Sequence, residues 1–392
     1  MKKLLDKIEN KNALVGIIGL GYVGLPLAVE SAKSGFKTLG FDIQKSKTAM
    51  VNRGENYVGD IVSEELGELV KKEKLSATAD YSEIKNCDII IICVPTPLDK
   101  YMQPDNQYIV NSTLEIAKYR KESSLVVLES TTYPGATEEI VKPILENGGY
   151  LAGKDFFLAF SPERIDPGNA TYKTKNTPKI VGGSTKDCGV VAAAFYNSIL
   201  SGGVHVVTSP KVAEMEKLLE NIFRLVNIGL VNELAILCDR MNINIWEVIE
   251  AAKTKPYGFM PFYPGPGLGG HCIPIDPFYL TWKAKEFHFS TTLIEAAGNI
   301  NRKMPEYVVE KIGIILNSID KCYKGSKIVL LGLAYKKDID DYRESPVLRI
   351  IDLLTKFGAS IDVVDPHIKE FKGEDGERHS TVEIGEDLLK QS

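Results

Sequence analysis

The sequence holds no Cys-x-x-Cys pair. Its six cysteines, Cys87, Cys93, Cys188, Cys238, Cys272 and Cys322, are scattered along the chain. That argues against a zinc knuckle or a disulfide framework, and free thiols in this number suit a reducing cytoplasm. Basic charge is not in excess. Lys and Arg number 47 against 52 Asp and Glu, a net charge of −5, whereas nucleic-acid binders usually show a basic stripe. The first twelve residues are charged and lack the apolar core of a leader. No segment approaches the roughly 20 apolar residues of a membrane span. Short-period repeats and low-complexity tracts are also missing. The expectation is a cytoplasmic protein with no metal, no membrane partner and no nucleic-acid partner. What is present is average for a globular chain, 44% hydrophobic and 25% charged. At 392 residues it is too long for one ordinary core, so two or three domains are expected.

The first segment reads β-α-β. Residues 14–18 form a short apolar strand, a glycine turn and a helix to about residue 34 follow, and residues 38–41 form a second strand. Residues 87–94 and 125–128 are continuous apolar runs, as parallel strands buried on both faces require. The alternation of strands and helices implies a doubly wound sheet. From residue 211 to 240 the texture changes. Val212, Met215, Leu218, Leu219, Ile222, Leu225, Val226 and Leu230 recur at helical spacing, which predicts one long helix linking two domains and packing on a second subunit. A Pro/Gly-rich loop spans residues 256–277, and long loops of this kind are often functional. A second β-α-β signature opens with a strand at 328–331 and Gly332-Leu333-Ala334. It continues with a helix over 346–357 and ends with a strand at 361–364.

Gly19-Leu20-Gly21-Tyr22-Val23-Gly24 is a G-x-G-x-x-G turn after a strand and before a helix. Gly19 permits the tight turn, Gly21 lets backbone approach a pyrophosphate, and Gly24 allows close helix–strand packing. Asp42 ends the second strand about 20 residues on, where a ribose ligand belongs. Its charge would repel a 2′-phosphate, which favours NAD over NADP, and nearby Lys47 blunts that slightly. The plainer reading is a tight turn with no ligand. Val94-Pro95-Thr96-Pro97 and Glu129-Ser130-Thr131-Thr132 each follow a buried strand, where open α/β sheets bind ligands. Either is equally readable as a plain turn. Glu163 is readable as a general base or as a surface carboxylate paired with Arg164. Lys217 and Asn221, four apart, share a helix face, while the bland alternative is a solvated lysine paired with Glu214 and Glu220.

Four glycines between residues 265 and 270 bare the backbone just before His271-Cys272-Ile273-Pro274-Ile275-Asp276. Most cysteines are inert core residues, and Cys93 and Cys238 fit that description. Cys272 lies in a polar loop beside an imidazole, a setting that suits a reactive thiolate. A His271–Cys272 hydrolase dyad is disfavoured because sequence neighbours seldom meet at the right geometry.

Together these stretches resemble the UDP-glucose/GDP-mannose dehydrogenase family. The match runs in order from the first glycine turn to Lys336-Lys337-Asp338 and Arg343-Glu344-Ser345-Pro346, and Gly269-Gly270-His271-Cys272-Ile273-Pro274-Ile275-Asp276 is its most specific part. The resemblance implies an α/β fold with two Rossmann-like doubly wound domains joined by a central helical domain with a long connecting helix. An NAD-binding domain would occupy residues 1–208, a helical dimerisation domain with the cysteine loop 209–305, and a UDP-binding domain 306–392. The last is expected to be shortened, because the chain stops where an open sheet would normally have more strands. Carried over by position, Cys272 matches the nucleophile, and Lys217 and Asn221 the groups that stabilise an oxyanion. Asp276 supports Lys217 and the water, and Thr131 and Glu163 position water and act in acid–base steps. Tyr263, Gly265, Gly267 and Gly269 match the loop around the sugar, and Arg164, Tyr335 and Lys336 further substrate contacts. Gly19, Leu20, Gly21, Tyr22, Val23, Gly24, Asp42, Lys47, Pro95, Thr96, Thr131 and Arg343 match the cofactor set.

That set fits a four-electron oxidation of a primary alcohol to a carboxylate using two NAD. A thiolate adds to the intermediate aldehyde, and the resulting thiohemiacetal is oxidised to a thioester that water releases. His271 and residues 259–267 resemble the branch acting on UDP-N-acetylhexosamines, UDP-N-acetylglucosamine first, for polysaccharide precursors. UDP-N-acetylmannosamine, UDP-N-acetylgalactosamine and UDP-glucose remain alternatives, although residues 255–257 have diverged from the UDP-glucose branch. A two-electron hydroxyacid dehydrogenase would need no Cys272. A non-catalytic NAD- or UDP-sugar-binding regulator would not need Lys217, Asn221, Cys272 and Asp276 together.

Overall fold

The computed structural model describes every residue except 60, 100, 167, 168, 170, 271, 272, 391 and 392. The chain divides into two compact units, Met1–Leu219 and Glu220–Ser392.

The first unit is built on β1 (Leu14–Ile18), β2 (Lys37–Phe41), β3 (Leu75–Thr78), β4 (Ile89–Ile92), β5 (Leu125–Leu128), β6 (Phe157–Phe160), β7 (Lys179–Gly183) and β8 (Val204–Val207). They form one sheet in the order β3-β2-β1-β4-β5-β6-β7-β8. Neighbours are parallel except β6 and β7. Strand alternation feeds two cores. Ile89 and Ile91 enter the cluster on one face, Ile90 and Ile92 the cluster on the other. That is why β4 reads as four consecutive isoleucines, with no polar face. The run expected at 87–94 is broken by Asp88, and the strand itself is Ile89–Ile92. Around the sheet lie α1 (Lys2–Glu9), α2 (Gly24–Lys33), α3 (Lys45–Arg53), α4 (Ser63–Lys71), α5 (Gln107–Tyr119), α6 (Lys142–Glu146) and α7 (Lys186–Ile199). The strand order reverses between β1 and β4. The carboxyl ends of those two strands therefore open the crevice where α/β sheets of this type bind ligands.

The helix α8 (Pro210–Arg240) contains the point of division. In the second unit come α9 (Ile245–Lys253), α10 (Asp276–Ala284) and α11 (Thr292–Ser318). A β-α-β unit follows, made of β9 (Lys327–Leu331), α12 (Pro346–Lys356) and β10 (Ser360–Val364), with β9 and β10 parallel. A hairpin of β11 (Glu370–Lys372) and β12 (Arg378–Ser380) and the short α13 (Glu386–Lys390) complete it. Gly229 lets α8 approach α11, since a Cβ there would sit 3.1 Å from Ala297 Cβ.

Two expectations need correction. By length and composition α8 could cross a membrane: an 18-residue window has mean hydropathy 1.4, with 33% of it buried. Counting uninterrupted apolar residues overlooks this, because isolated charges break the run. A helix packed on one side by its own protein passes the same test. Cys238 is only half-buried and so does not fit the description of a core residue, whereas Cys93 is buried.

Candidate active site

The first glycine turn is shaped by contacts that forbid side chains. Gly19 has φ +92°, and a Cβ there would strike Cys93 O; a Cβ on Gly24 would strike Gly19 O. Gly19 N–H donates to Phe41 O at 2.8 Å. Gly21 differs, because a Cβ there would meet no atom within 4 Å, so backbone faces open space at the start of α2. Asp42 is buried. Its carboxylate accepts Leu20 N–H at 3.0 Å and Gln44 N–H at 2.8 Å, which ties the end of β2 to the turn. Two oxygens offer about four lone-pair sites, so acceptor capacity is left for ribose hydroxyls. Lys47 Nζ lies 4.0 Å from Asp42. Leu20 and Val23 pack inward, whereas Tyr22 is exposed. A bared glycine, the amino end of a helix and a fixed carboxylate fit a dinucleotide. Pro95 and Thr96 follow β4 on the same edge.

The loop after β5 carries Glu129, Ser130, Thr131 and Thr132. Glu129 and Ser130 N–H both donate to Ile92 O. Thr131 is half-buried. Its neighbour Thr132 is fully buried, and its hydroxyl has no hydrogen-bond partner among the described residues. The sequence reading singles out Thr131, and two adjacent threonines give no signal to choose between them. Further on, Gly135 N–H, Thr137 N–H and Thr137 Oγ1 all donate to buried Glu214 of α8. Burial pushes that carboxyl above its ordinary range. Glu214 therefore fastens the loop to α8 three residues before Lys217. The solvated-lysine reading of Lys217 does not hold, because Lys217 is buried and Glu214 is occupied elsewhere.

Glu163 is likewise no surface partner of the Arg164 guanidinium. Its Oε2 accepts from Lys179 Nζ at 2.9 Å, and its Oε1 from the backbone N–H of Arg164 and Ile165. Burial opposes ionisation of Glu163, and Lys179 more than offsets it, holding the carboxyl below its ordinary range. Arg164 turns to Glu216, Nε to Oε1 3.4 Å.

In the second unit, buried Asn221 donates to Asp276 Oδ2 at 2.5 Å. Cys272 and His271 lie outside the described residues. The glycines before them are fixed by packing: a Cβ on Gly269 would strike Tyr335 Cβ, and one on Gly270 would meet the Tyr335 ring at 2.8 Å. Gly267, φ +136°, is close-packed on Pro346. Gly265 N–H donates to Asn232 Oδ1, Asn232 donates to Asn301 Oδ1, and Asn301 donates to Leu225 O. Sequence reasoning does not find this Asn232–Asn301 clamp, because two asparagines 69 residues apart carry no shared pattern. Tyr263 OH donates to Glu250 Oε1 at 2.7 Å, and its ring stacks on Trp246. Tyr335 and Lys336 follow β9, and Arg343 forks onto Asp341 through two 2.8 Å bonds.

Family models cover most of the chain. The NAD binding domain of the UDP-glucose/GDP-mannose dehydrogenase family matches residues 13–200, the central domain 211–303, and the UDP binding domain 329–392. A UDP-N-acetyl-D-glucosamine 6-dehydrogenase of Pseudomonas aeruginosa is 38% identical over 359 residues, 91% of this chain and 84% of that one. A UDP-N-acetyl-D-mannosamine dehydrogenase of Pyrococcus horikoshii is 35% identical over 360 residues, 91% and 84% of the two chains. A solved UDP-D-ManNAc dehydrogenase structure from Pyrococcus horikoshii has a TM-score of 0.88 at 33% identity, covering 96% of this chain and 86% of the other. The chain belongs to the UDP-glucose/GDP-mannose dehydrogenase family and is an NAD-dependent UDP-sugar dehydrogenase.

Proposed function

We propose that the enzyme oxidises the C6 hydroxyl of a UDP-N-acetylhexosamine to the uronic acid, with UDP-N-acetylglucosamine as the first substrate to test. The observation that carries this is the buried Asn221–Asp276 pair, four residues after Lys217 on the same helix and four residues after Cys272 in sequence. Asparagine and lysine donors on one helix face suit an oxygen that becomes negative, and each such donor typically contributes about 10²–10³ in rate. Bound NAD would accept the two hydrides. The residues of the chain handle the rest. Cys272 adds to the C6 aldehyde as a thiolate, and Lys217 and Asn221 hold the oxyanion. Asp276 orients Asn221, and Glu163 with the 131–132 loop positions the water that releases the acid. The balance is R–CH₂OH, two NAD⁺ and water giving R–COO⁻, two NADH and three protons.

In the same proposal, residues 1–208 hold the cofactor through the Gly19–Gly24 turn, Asp42, Pro95 and Thr96. Residues 209–305 form the helical domain and residues 306–392 the UDP-binding domain. The glycine-bared loop at 265–269 with Tyr263, Tyr335 and Lys336 contacts the nucleotide sugar. The exposed apolar residues of α8 support assembly as a dimer, and synthesis of polysaccharide precursors in the cytoplasm is the setting this chemistry suits. A mannosamine substrate is the second reading, because relatives of that name match at nearly the same identity. The test is to count NADH per sugar consumed with UDP-N-acetylglucosamine, UDP-N-acetylmannosamine, UDP-N-acetylgalactosamine and UDP-glucose. Two NADH per sugar, abolished in Cys272→Ala, is expected. One NADH per sugar, or an unchanged Cys272→Ala, would sink the thioester route.

A further inference from the structure

A buried charged cluster stands behind the loop that carries Glu163, all of it in the first unit. Lys179 Nζ, from β7, donates to Glu129 at the end of β5 and to Glu163 Oε2. Tyr196 OH, from α7, donates to Glu129 Oε2 at 2.6 Å. The Glu129 side chain is 0% exposed, Lys179 5% and Glu163 14%, so solvent reaches the cluster mainly at Glu163. Buried ion pairs are a weak source of stability, and apolar replacements are often neutral or better. Here the pairing is also unbalanced. Two carboxylates share one ammonium, so full ionisation leaves one negative charge uncompensated in the core of the sheet.

We propose that Glu129 is a positioning residue for the reaction, setting the charge and basicity of Glu163 through the Lys179 ammonium they share. The inference rests on the reading of Glu163 as the acid–base group of the site. The groups facing Glu129 are the Cys93 thiol at the end of β4, Glu163 from the loop after β6, Lys179 from β7 and the Tyr196 phenol from α7. Burial holds Cys93 and Tyr196 neutral, while the two carboxylates keep Lys179 charged against the penalty of burial. Burial pushes Glu129 up to about 7, only partly opposed by Lys179. On the acid side of neutrality the proton therefore resides on Glu129, and Glu163 has the whole of the Lys179 charge. On the alkaline side Glu129 ionises, Lys179 is divided between two anions, and Glu163 becomes the stronger base.

The experiment is kcat for NADH formation at saturating NAD and UDP-sugar across roughly pH 6 to 9, on the full chain, for wild type, Glu129→Gln, Tyr196→Phe and Glu163→Gln. Ionisations that do not involve Glu129 are common to wild type and Glu129→Gln, so they cancel in the ratio of the two. The ratio of wild type to Glu129→Gln is expected to be near one at the acid end and to climb to about threefold at the alkaline end, the fractional Brønsted response of a rate to a stronger base. Tyr196→Phe removes a donor to the Glu129 anion while keeping both carboxylates. It is expected to move the inflection to higher pH, and it carries the test alone should Glu129→Gln fail to fold. A ratio that is flat with pH in Glu129→Gln, or an unmoved inflection in Tyr196→Phe, overturns the proposal and leaves the cluster a structural bridge. If Glu163→Gln keeps the wild-type rate, the reading of Glu163 falls first. If Glu163→Gln is inactive while the Glu129→Gln ratio is flat, only the present inference falls.

Discussion

Gly21 and Gly24 stand three residues apart in one turn and answer different demands. Gly24 is required by the fold, because a methyl group there would occupy the position of Gly19 O. Gly21 meets nothing, so the fold does not require glycine there, whereas a ligand that needs the backbone bare would. Gly21→Ala is therefore expected to fold with a melting temperature within a few degrees of wild type, yet to bind NAD at least tenfold more weakly by calorimetry. Gly24→Ala is expected to lose both cofactor binding and a cooperative melt. If Gly21→Ala binds NAD as tightly as wild type, the pyrophosphate does not approach this turn. The same scale shows where sequence reading stops. The spacing of the glycines and of Asp42 is legible because each follows from one local rule. That Thr132 rather than Thr131 is fully buried, or that Lys179 meets Glu129 from 50 residues away, depends on strand order and on which way one loop residue turns. Neither leaves a periodic mark.

At the scale of elements, two turns in different units reach the same backbone solution. After β1, Gly19 takes φ +92°, its N–H bonds Phe41 O, and the next N–H bonds the Asp42 carboxylate. After β9, Gly332 takes φ +93°, its N–H bonds Val364 O, and Leu333 N–H bonds the Asp365 carboxylate at 2.8 Å. A parallel strand pair and the turn after its first strand meet at the carboxylate that ends the second strand. The β-α-β signature at residues 327–364 is visible in the sequence because it repeats this logic. The asparagine clamp on the 265 loop is not visible there, since it joins three separate elements. Burial opposes ionisation of Asp365, but N–H groups of Leu333, Ala334, His367 and Ile368 prevail and hold the carboxyl below its ordinary range. A carboxyl depressed in the folded state adds stability above its unfolded pKa of about 3.9 and loses that contribution as pH falls through the folded value. Asp365→Asn is thus expected to melt a few degrees below wild type at neutral pH, with the gap closing in strong acid. A gap independent of pH would mean that shape, and not charge, makes Asp365 useful.

At the scale of the whole molecule, α8 is the element whose surface the chain alone does not account for. One side is committed: Leu225, Asn221 and Asn232 are buried among hydrogen bonds and apolar contacts of their own unit. On the other side Phe223, Leu230, Leu234 and Leu237 are exposed. Their spacing of seven, four and three residues is that of a coiled-coil seam. The helical period and the length of this element are legible in the sequence, but which apolar positions stay uncovered is not, because periodicity gives a stripe without saying what lies against it. Two occupants suit such a stripe, a second copy of the helix or a lipid phase, given that α8 has the length and hydropathy of a span. The committed polar face argues for the first. Asn221 and Asn232 would have to leave their partners, or carry them into hydrocarbon, for the helix to cross a bilayer, and unsatisfied polar groups there cost several kcal/mol each. A copy of the chain needs only the exposed stripe. Light scattering on the purified protein is therefore expected to give twice the chain mass of 43.3 kDa. Leu230→Glu combined with Leu234→Glu should shift it to a single chain with the NAD site intact, because two charges in an apolar seam cost several kcal/mol of association. A wild-type monomer, or protein recovered only with detergent or vesicles, would remove the dimer reading and leave the stripe to the second occupant.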